Sequence, residues 1–150
     1  MPQSLSQLYV HLIFSTKHRE PMLLLPVREH LHAYLAAALN NQDSPALKVG
    51  GMGDHVHALF RLSKNLALAK IVEEVKTSSS KWVKTQGRGL ANFYWQSGYG
   101  AFSVSAKDVG EVVDYIAQQE THHRVASFQE EFRKLLGAHG IAFDERYVWD

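Results

Sequence analysis

Residues 54–62 read Asp-His-Val-His-Ala-Leu-Phe-Arg-Leu, and the alternation of side-chain types in this segment decides the fold assignment. Alternate residues of a β-strand face the same side of the sheet. The apolar positions therefore form one face that suits a protein core: Val56, Ala58, Phe60 and Leu62. The two histidines, His55 and His57, point together to the opposite face, about 7 Å apart by strand rise.

The segments around this strand complete an alternation of strands and helices. Period-two alternation predicts strands, and apolar residues three to four positions apart predict helices. The predicted elements are strand 7–14, helix 26–40, strands 46–51 and 54–62, helix 66–84, a strand over 92–96 and 101–104, and helices 108–123 and 128–136. This order indicates an α+β fold, a ferredoxin-like βαββαβ antiparallel sheet with helices on one face plus C-terminal helices. The 150 residues fit a single domain, residues 1–150.

The composition excludes several classes of protein. The chain has no cysteine, which rules out disulfides, cysteine-ligated zinc and thiol catalysis. No run approaches the ~18 consecutive apolar residues that a membrane span requires. The first residues lack the basic start and apolar run of a signal peptide. We therefore expect a cytoplasmic protein without a membrane partner.

Charge is distributed unevenly along the chain. Residues 61–107 carry eight basic and two acidic side chains, a net charge of +6, whereas residues 108–150 carry nine acids and four bases, a net charge of −5. A basic middle with an acidic tail indicates a localised anion-binding face, with nucleic acid as the first candidate ligand. Solvated helix faces would give the same pattern. The candidate phosphate contacts are Lys17, Arg19, Lys76, Lys81, Lys84, Arg88, His122, His123 and Arg124.

Two groups of residues are suited to chemistry. His55 and His57 can close on one cation and leave coordination positions open for a phosphate, although a pair of surface histidines would show the same spacing. Tyr115 and Gln119 lie four residues apart on the flank of a predicted helix. The Tyr115 hydroxyl would be free to act as a nucleophile, and Gln119 could offer its amide oxygen to the same metal. A boundary tyrosine with a surface glutamine is the alternative. His11 is expected to be a histidine satisfied by hydrogen bonds in the sheet.

Together these motifs resemble those of the IS200/IS605-type tyrosine transposases, the Y1 transposases of the HUH nuclease superfamily. The resemblance covers nearly the whole chain, and its specificity lies in the His-x-His strand combined with a downstream Tyr-x-x-x-Gln helix. The matching segments are YVHLIFSTKHR (9–19), GDHVHALF (53–60), KTSSSKWV (76–83), FYWQSGYGAFSVS (93–105), VVDYIAQQETHHR (112–124) and FQEEFRKLLGAHGIAFDERYVW (128–149).

The resemblance implies a metal-dependent single-strand DNA endonuclease and strand transferase. His55, His57 and Gln119 would bind a divalent metal, Mg²⁺ or Mn²⁺, which polarises the scissile phosphate. Tyr115 would attack and stay joined to the 5′ phosphate, so that rejoining needs no nucleotide cofactor. The chain accordingly lacks a G-x-x-x-x-G-K-[ST] phosphate loop. Members of this family are similar in acting as homodimers on single-stranded hairpin DNA, in which the tyrosine helix can complete the partner's metal site.

The expected function is that of a transposase cutting and rejoining single-stranded DNA at hairpin-marked ends through a 5′-phosphotyrosine intermediate. Such a protein would be associated with the nucleoid when bound to DNA. One alternative keeps the nicking chemistry but serves the host, acting on palindromic repeats. A second alternative is a nucleic-acid-binding ferredoxin-like module without catalysis, which would bind hairpin DNA and never cut it.

Overall fold

The computed structural model describes residues 2–150, and an antiparallel sheet of four strands forms its centre. The strands are β1 (Tyr9–Ser15), β2 (Ala46–Gly51), β3 (His55–Arg61) and β4 (Gly100–Val104). Their order in the sheet is β2-β3-β1-β4, so the histidine-bearing strand β3 lies in the interior of the sheet, next to β1. The predicted α+β, ferredoxin-like fold is confirmed.

Helices follow three of the strands. Helix α1 (Val27–Asn41) follows β1, and α2 (Leu68–Lys84) follows β3. The C-terminal helices α3 (Val109–Ala117), α4 (Gln119–His122) and α5 (Phe128–Ala138) follow β4. No helix in residues 2–150 is long and apolar enough to cross a membrane.

The main core lies on the sheet face opposite the histidines. Alternate residues of β1 and β3 pack there against the apolar stripes of α1 and α2, as the sequence pattern predicts. Its fully or nearly fully buried members include Leu12, Phe14, Val56, Phe60, Leu31, Leu35, Ile71 and Val75. Burial of one whole face leaves the other face available for polar side chains.

The C-terminal helices cover the histidine face of the sheet, and two glycines permit their close approach. Helix α3 packs across β2 and β3, where a Cβ added at Gly50 would lie 2.8 Å from the Ile116 carbonyl oxygen. A Cβ at Gly100 would collide with the ring of Phe132 in α5. Both helices can therefore lie flat on the sheet, which brings their side chains to His55 and His57.

The segment 92–96 is not a strand, and this part of the prediction is wrong. It meets the sheet through one isolated bridge, between Trp95 and Thr16. Phe93 and Trp95 turn inward to the core, where the Trp95 indole N–H donates to the Ser79 hydroxyl at 3.0 Å. The three consecutive aromatic residues 93–95 suit this packed turn as well as a strand, so the pattern could not separate the two.

The predicted helix 108–123 is divided at Gln118, whose φ of −102° and ψ of 22° lie outside the helical region. Helix α4 is therefore a single turn after α3. Within this turn His123 Nε2 lies 3.0 Å from Gln119 Oε1, as expected for side chains four residues apart on a helix. Apolar periodicity does not detect a break at one exposed residue. The other predicted elements end within two residues of the observed ends.

Candidate active site

The two histidines of β3 are completely buried, and each has one ring nitrogen held by a neighbour. His55 Nδ1 lies 2.7 Å from the Asp54 carboxylate, and His57 Nδ1 lies 2.8 Å from His11 Nε2. The expectation that His11 is satisfied by a hydrogen bond within the sheet is confirmed. Histidines that bind metals commonly have their second nitrogen fixed in this way. The remaining nitrogen of each, Nε2, faces α4 and α5.

A buried carboxylate, which the sequence pattern does not predict, faces this histidine pair. Glu131 of α5 is 7% exposed, and its Oε1 lies 3.0 Å from His57 Nε2 and 3.6 Å from His55 Nε2. Possible ligand atoms of these three residues all lie within 4.8 Å of one another. Adjacent ligands on a divalent ion with bonds of about 2.1 Å stand about 3 Å apart. The three residues therefore fit a divalent metal.

Tyr115 and Gln119 converge on the same carboxylate. The Tyr115 hydroxyl donates to Glu131 Oε2, and Gln119 Nε2 donates to that oxygen at 3.0 Å. Gln119 Oε1 lies 2.9 Å from His55 Nε2. The structure thus brings together every residue predicted to be catalytic or to bind metal, and their roles stay predictions. Gln119 is 2% exposed, so it is not a surface glutamine.

The electrostatics of the site centre on Glu131. Burial would raise the pKa of the Glu131 carboxyl, but hydrogen bonds from His123, His57 and Tyr115 hold it well below its usual range. Burial lowers the pKa of His57 to about 4, against the opposing effect of Glu131. His57 is therefore neutral near pH 7, the state in which an imidazole binds metal. Burial, together with the hydrogen bond to Glu131 and the charge of its carboxylate, raises the pKa of the Tyr115 hydroxyl well above its usual value.

Several of the predicted phosphate contacts lie at or beside this site. His122 packs on the Tyr115 ring with centroids 4.6 Å apart. His123 Nε2 lies 3.3 Å from Glu131 Oε1. Burial would lower the pKa of His123, but its hydrogen bond and attraction to Glu131 raise it. Arg19 and His123 line a groove of about 550 Å³ that opens beside Asp54. Lys17 and Arg124 are exposed.

The predicted cations of the basic middle form a second group on and after α2. Lys76 donates to the carbonyl oxygens of residues 96, 97 and 98 at 2.6–3.2 Å, and burial lowers its pKa to about 8. A contact between Lys76 and a phosphate would compete with these hydrogen bonds, and it stays a prediction. Lys81 and Lys84 line a groove of about 570 Å³. Arg88 is exposed in the following turn.

Comparison with known protein families identifies the family to which the chain belongs. The family model of IS200-like transposases matches residues 4–119. The chain belongs to the IS200-like transposase family. The match ends at Gln119, so α5 and its Glu131 lie beyond the matched segment.

Two solved structures share the fold. A candidate transposase from Deinococcus radiodurans R1 has a TM-score of 0.62 and 21% identity, covering 79% of this chain and 98% of its own. A REP-associated tyrosine transposase bound to a REP hairpin has a TM-score of 0.60 and 17% identity, covering 82% of this chain and 72% of its own. A comparison with curated proteins gives no match.

Proposed function

We propose that this protein is a transposase that cuts and rejoins single-stranded DNA at hairpin-marked ends through a 5′-phosphotyrosine. The observation that carries the proposal is the convergence of Tyr115 with His55 and His57 in one buried site. The Tyr115 ring lies edge-on to the His57 ring with centroids 5.8 Å apart. Its hydroxyl donates to Glu131, which lies 74 residues beyond His57 in the chain and 3.0 Å from His57 Nε2. Membership of the IS200-like transposase family supports the same chemistry.

The proposed metal site uses His55 and His57, with a further oxygen ligand from Gln119 or Glu131. Imidazole and oxygen donors with open positions suit Mg²⁺ or Mn²⁺ in phosphoryl transfer. When bound, the ion supplies Lewis acidity to the scissile phosphate. Asp54 and His11 hold the two imidazole rings in place through their Nδ1 atoms.

Tyr115 performs the covalent step in this proposal. Its hydroxyl oxygen forms a bond to the phosphorus and loses its proton, while the bond from phosphorus to the 3′ oxygen breaks and that oxygen takes up a proton. The downstream strand stays on Tyr115 through its 5′ phosphate. Because the phosphotyrosine retains the ester bond, attack by a 3′ hydroxyl rejoins DNA and regenerates Tyr115 without a nucleotide cofactor.

The proposed ligand is single-stranded DNA that carries a hairpin. One structural neighbour is a complex with a REP hairpin, and this chain has exposed or half-buried cations beside the site and along α2. A homodimer is also proposed, from the resemblance to the family. The hydrogen bond from the Tyr115 hydroxyl to Glu131 supports the proposal that Tyr115 acts on its own subunit's metal site.

Incubation with labelled hairpin DNA from the flanking genome and Mn²⁺ tests the proposal through a covalent protein–DNA adduct. DNA that is bound but never cut would favour the non-catalytic module. A host-serving nickase would form the same adduct, and the genomic neighbourhood separates it from a mobile element. Paired terminal hairpins around the gene indicate a mobile element, whereas scattered palindromic repeats indicate a host function.

A further inference from the structure

Helix α5 places an acidic side chain in the active site from a segment beyond the family match. The matched segment ends at Gln119, and Glu131 lies twelve residues further along the chain. Glu131 belongs to the buried stripe of α5 with Phe128 and Phe132. A carboxylate in such a stripe is costly unless other groups compensate its charge. In this chain the groups that compensate the charge of Glu131 belong to the candidate active site, so α5 is anchored at that site.

The two carboxylate oxygens of Glu131 face different halves of the site. Oε1 lies 3.0 Å from His57 Nε2 and 3.6 Å from His55 Nε2, on the metal-binding side. Oε2 accepts the hydrogen bonds of the Tyr115 hydroxyl and Gln119 Nε2. One side chain therefore lies between the histidine pair and the tyrosine.

Gln119 is the competing third ligand, and its chemistry favours a supporting position. Its Oε1 lies 2.9 Å from His55 Nε2, close enough to bind the same ion. However, an amide oxygen is neutral, whereas the carboxylate of Glu131 offsets part of the charge of a divalent cation. Hard cations such as Mg²⁺ and Mn²⁺ prefer carboxylate oxygen. The hydrogen bond from Gln119 Nε2 to Glu131 Oε2 orients that carboxylate towards the histidines.

We propose that Glu131 is the anionic metal ligand through Oε1 and the positioning residue for the Tyr115 hydroxyl through Oε2, with Gln119 supporting it. The ligand role rests on the geometry of the site. The positioning role rests on the proposed function, because it requires Tyr115 to be the nucleophile. Helix α5 is then part of the active site in this chain.

Mn²⁺ titration of the full chain, with free Mn²⁺ measured by electron paramagnetic resonance, tests the ligand role. Glu131→Gln keeps the shape of the side chain and removes its charge, so we expect Mn²⁺ to bind at least about tenfold more weakly. Gln119→Ala is expected to weaken binding less. The exposed neighbour Glu130 provides a matched control, since Glu130→Gln should bind as the wild type does. Wild-type affinity in Glu131→Gln, or a larger loss in Gln119→Ala, would overturn the assignment.

Glu131→Asp keeps the charge and separates the two roles. The Glu131→Asp variant should bind Mn²⁺ more tightly than Glu131→Gln does. Equally weak Mn²⁺ binding by the two variants would contradict the ligand role of Glu131. Because the shorter side chain withdraws from Tyr115, adduct formation at saturating Mn²⁺ and DNA should slow by about tenfold or more, with the hairpin Kd unchanged. An unchanged rate overturns the positioning role. If the wild type forms no covalent adduct, both the positioning role of Glu131 and the proposed function are overturned. The Mn²⁺ titrations would still decide whether Glu131 is a metal ligand.

Discussion

The hydroxyl of Tyr115 donates a hydrogen bond to Oε2 of Glu131, sixteen residues further along the chain. This hydrogen bond joins the flank of α3 to the buried stripe of α5, on the sheet face that carries His55 and His57. The other oxygen of the same carboxylate lies 3.0 Å from His57 Nε2. The proposed nucleophile and the proposed metal site are therefore in contact within one chain.

Removal of the metal or of one imidazole should stop strand cleavage. His57→Ala leaves a single histidine, which is a poor metal site, so we expect adduct formation to fall by at least about 100-fold. Excess chelator should have the same effect on the wild type, and added Mn²⁺ should reverse it. His30→Ala, at an exposed histidine of α1, is the control and should cut normally. Undiminished cleavage in chelator would show that the reaction needs no metal.

Hairpin binding should weaken steeply as the salt concentration rises. Lys81, near the end of α2, and Arg88, just after that helix, should account for part of that dependence. Removing one cation that neutralises a phosphate lowers the slope of log Kd against log salt by roughly 0.7–0.9. The double variant Lys81→Ala/Arg88→Ala should therefore lower the slope by about 1.5. Lys134→Ala, on the exposed side of α5, changes charge away from this group and should leave the slope near that of the wild type. An unchanged slope in the double variant would show that the DNA does not contact Lys81 and Arg88.

Gly50→Ala should displace α3 and, with it, Tyr115. The added Cβ would lie 2.8 Å from the Ile116 backbone oxygen, so the helix must shift. We expect a loss of about 1–3 kcal/mol in the free energy of unfolding, together with slower adduct formation. Gly110→Ala in the same helix meets nothing within 4 Å and should leave both quantities unchanged or improved. Equal behaviour of the two variants in urea unfolding would contradict the close packing of α3 on β2.

His32 should make the protein less stable in acid. Burial, followed by the nearby charges of Arg28 and Lys48, lowers the pKa of His32 to about 4, and its buried Nε2 has no hydrogen-bond partner among residues 2–150. The unfolded chain takes up this proton below pH 6.5, whereas the folded protein takes it up only near pH 4. Stability is thus lost as the pH falls through this range, by at most about 1.4 kcal/mol per pH unit. His32→Leu should show a shallower loss in urea unfolding, and an NMR pKa near 6.5 in the wild type would contradict the prediction.

The fold could be predicted from the sequence because successive side chains of β3 alternate between the two faces of the sheet. That alternation places His55 and His57 opposite the core, and the predicted Tyr115 and Gln119 pair is found beside them. The break at Gln118 was not accessible, since it changes one residue's backbone angles without changing the apolar pattern.

Glu131 was missed for a different reason. It lies 74 residues from His57 along the chain and among other acids of the tail, so no local spacing connects the two. One signal was present in the sequence. The stripe of Phe128, Phe132 and Leu136 places position 131 on the buried side of the helix, and a carboxylate there requires a partner.

Covalent capture of DNA bears most directly on the assignment of Tyr115. A hairpin substrate labelled at its 3′ end is incubated with Mn²⁺ and either the wild type, Tyr115→Phe or the control Tyr147→Phe, whose tyrosine is 64% exposed. We expect the wild type and the control to retain the labelled fragment and to release an unlabelled strand ending in a 3′ hydroxyl. Tyr115→Phe should bind the hairpin with similar affinity and retain no label. A labelled adduct in Tyr115→Phe, or cleavage by the wild type that leaves a free 5′ phosphate, would contradict the assignment.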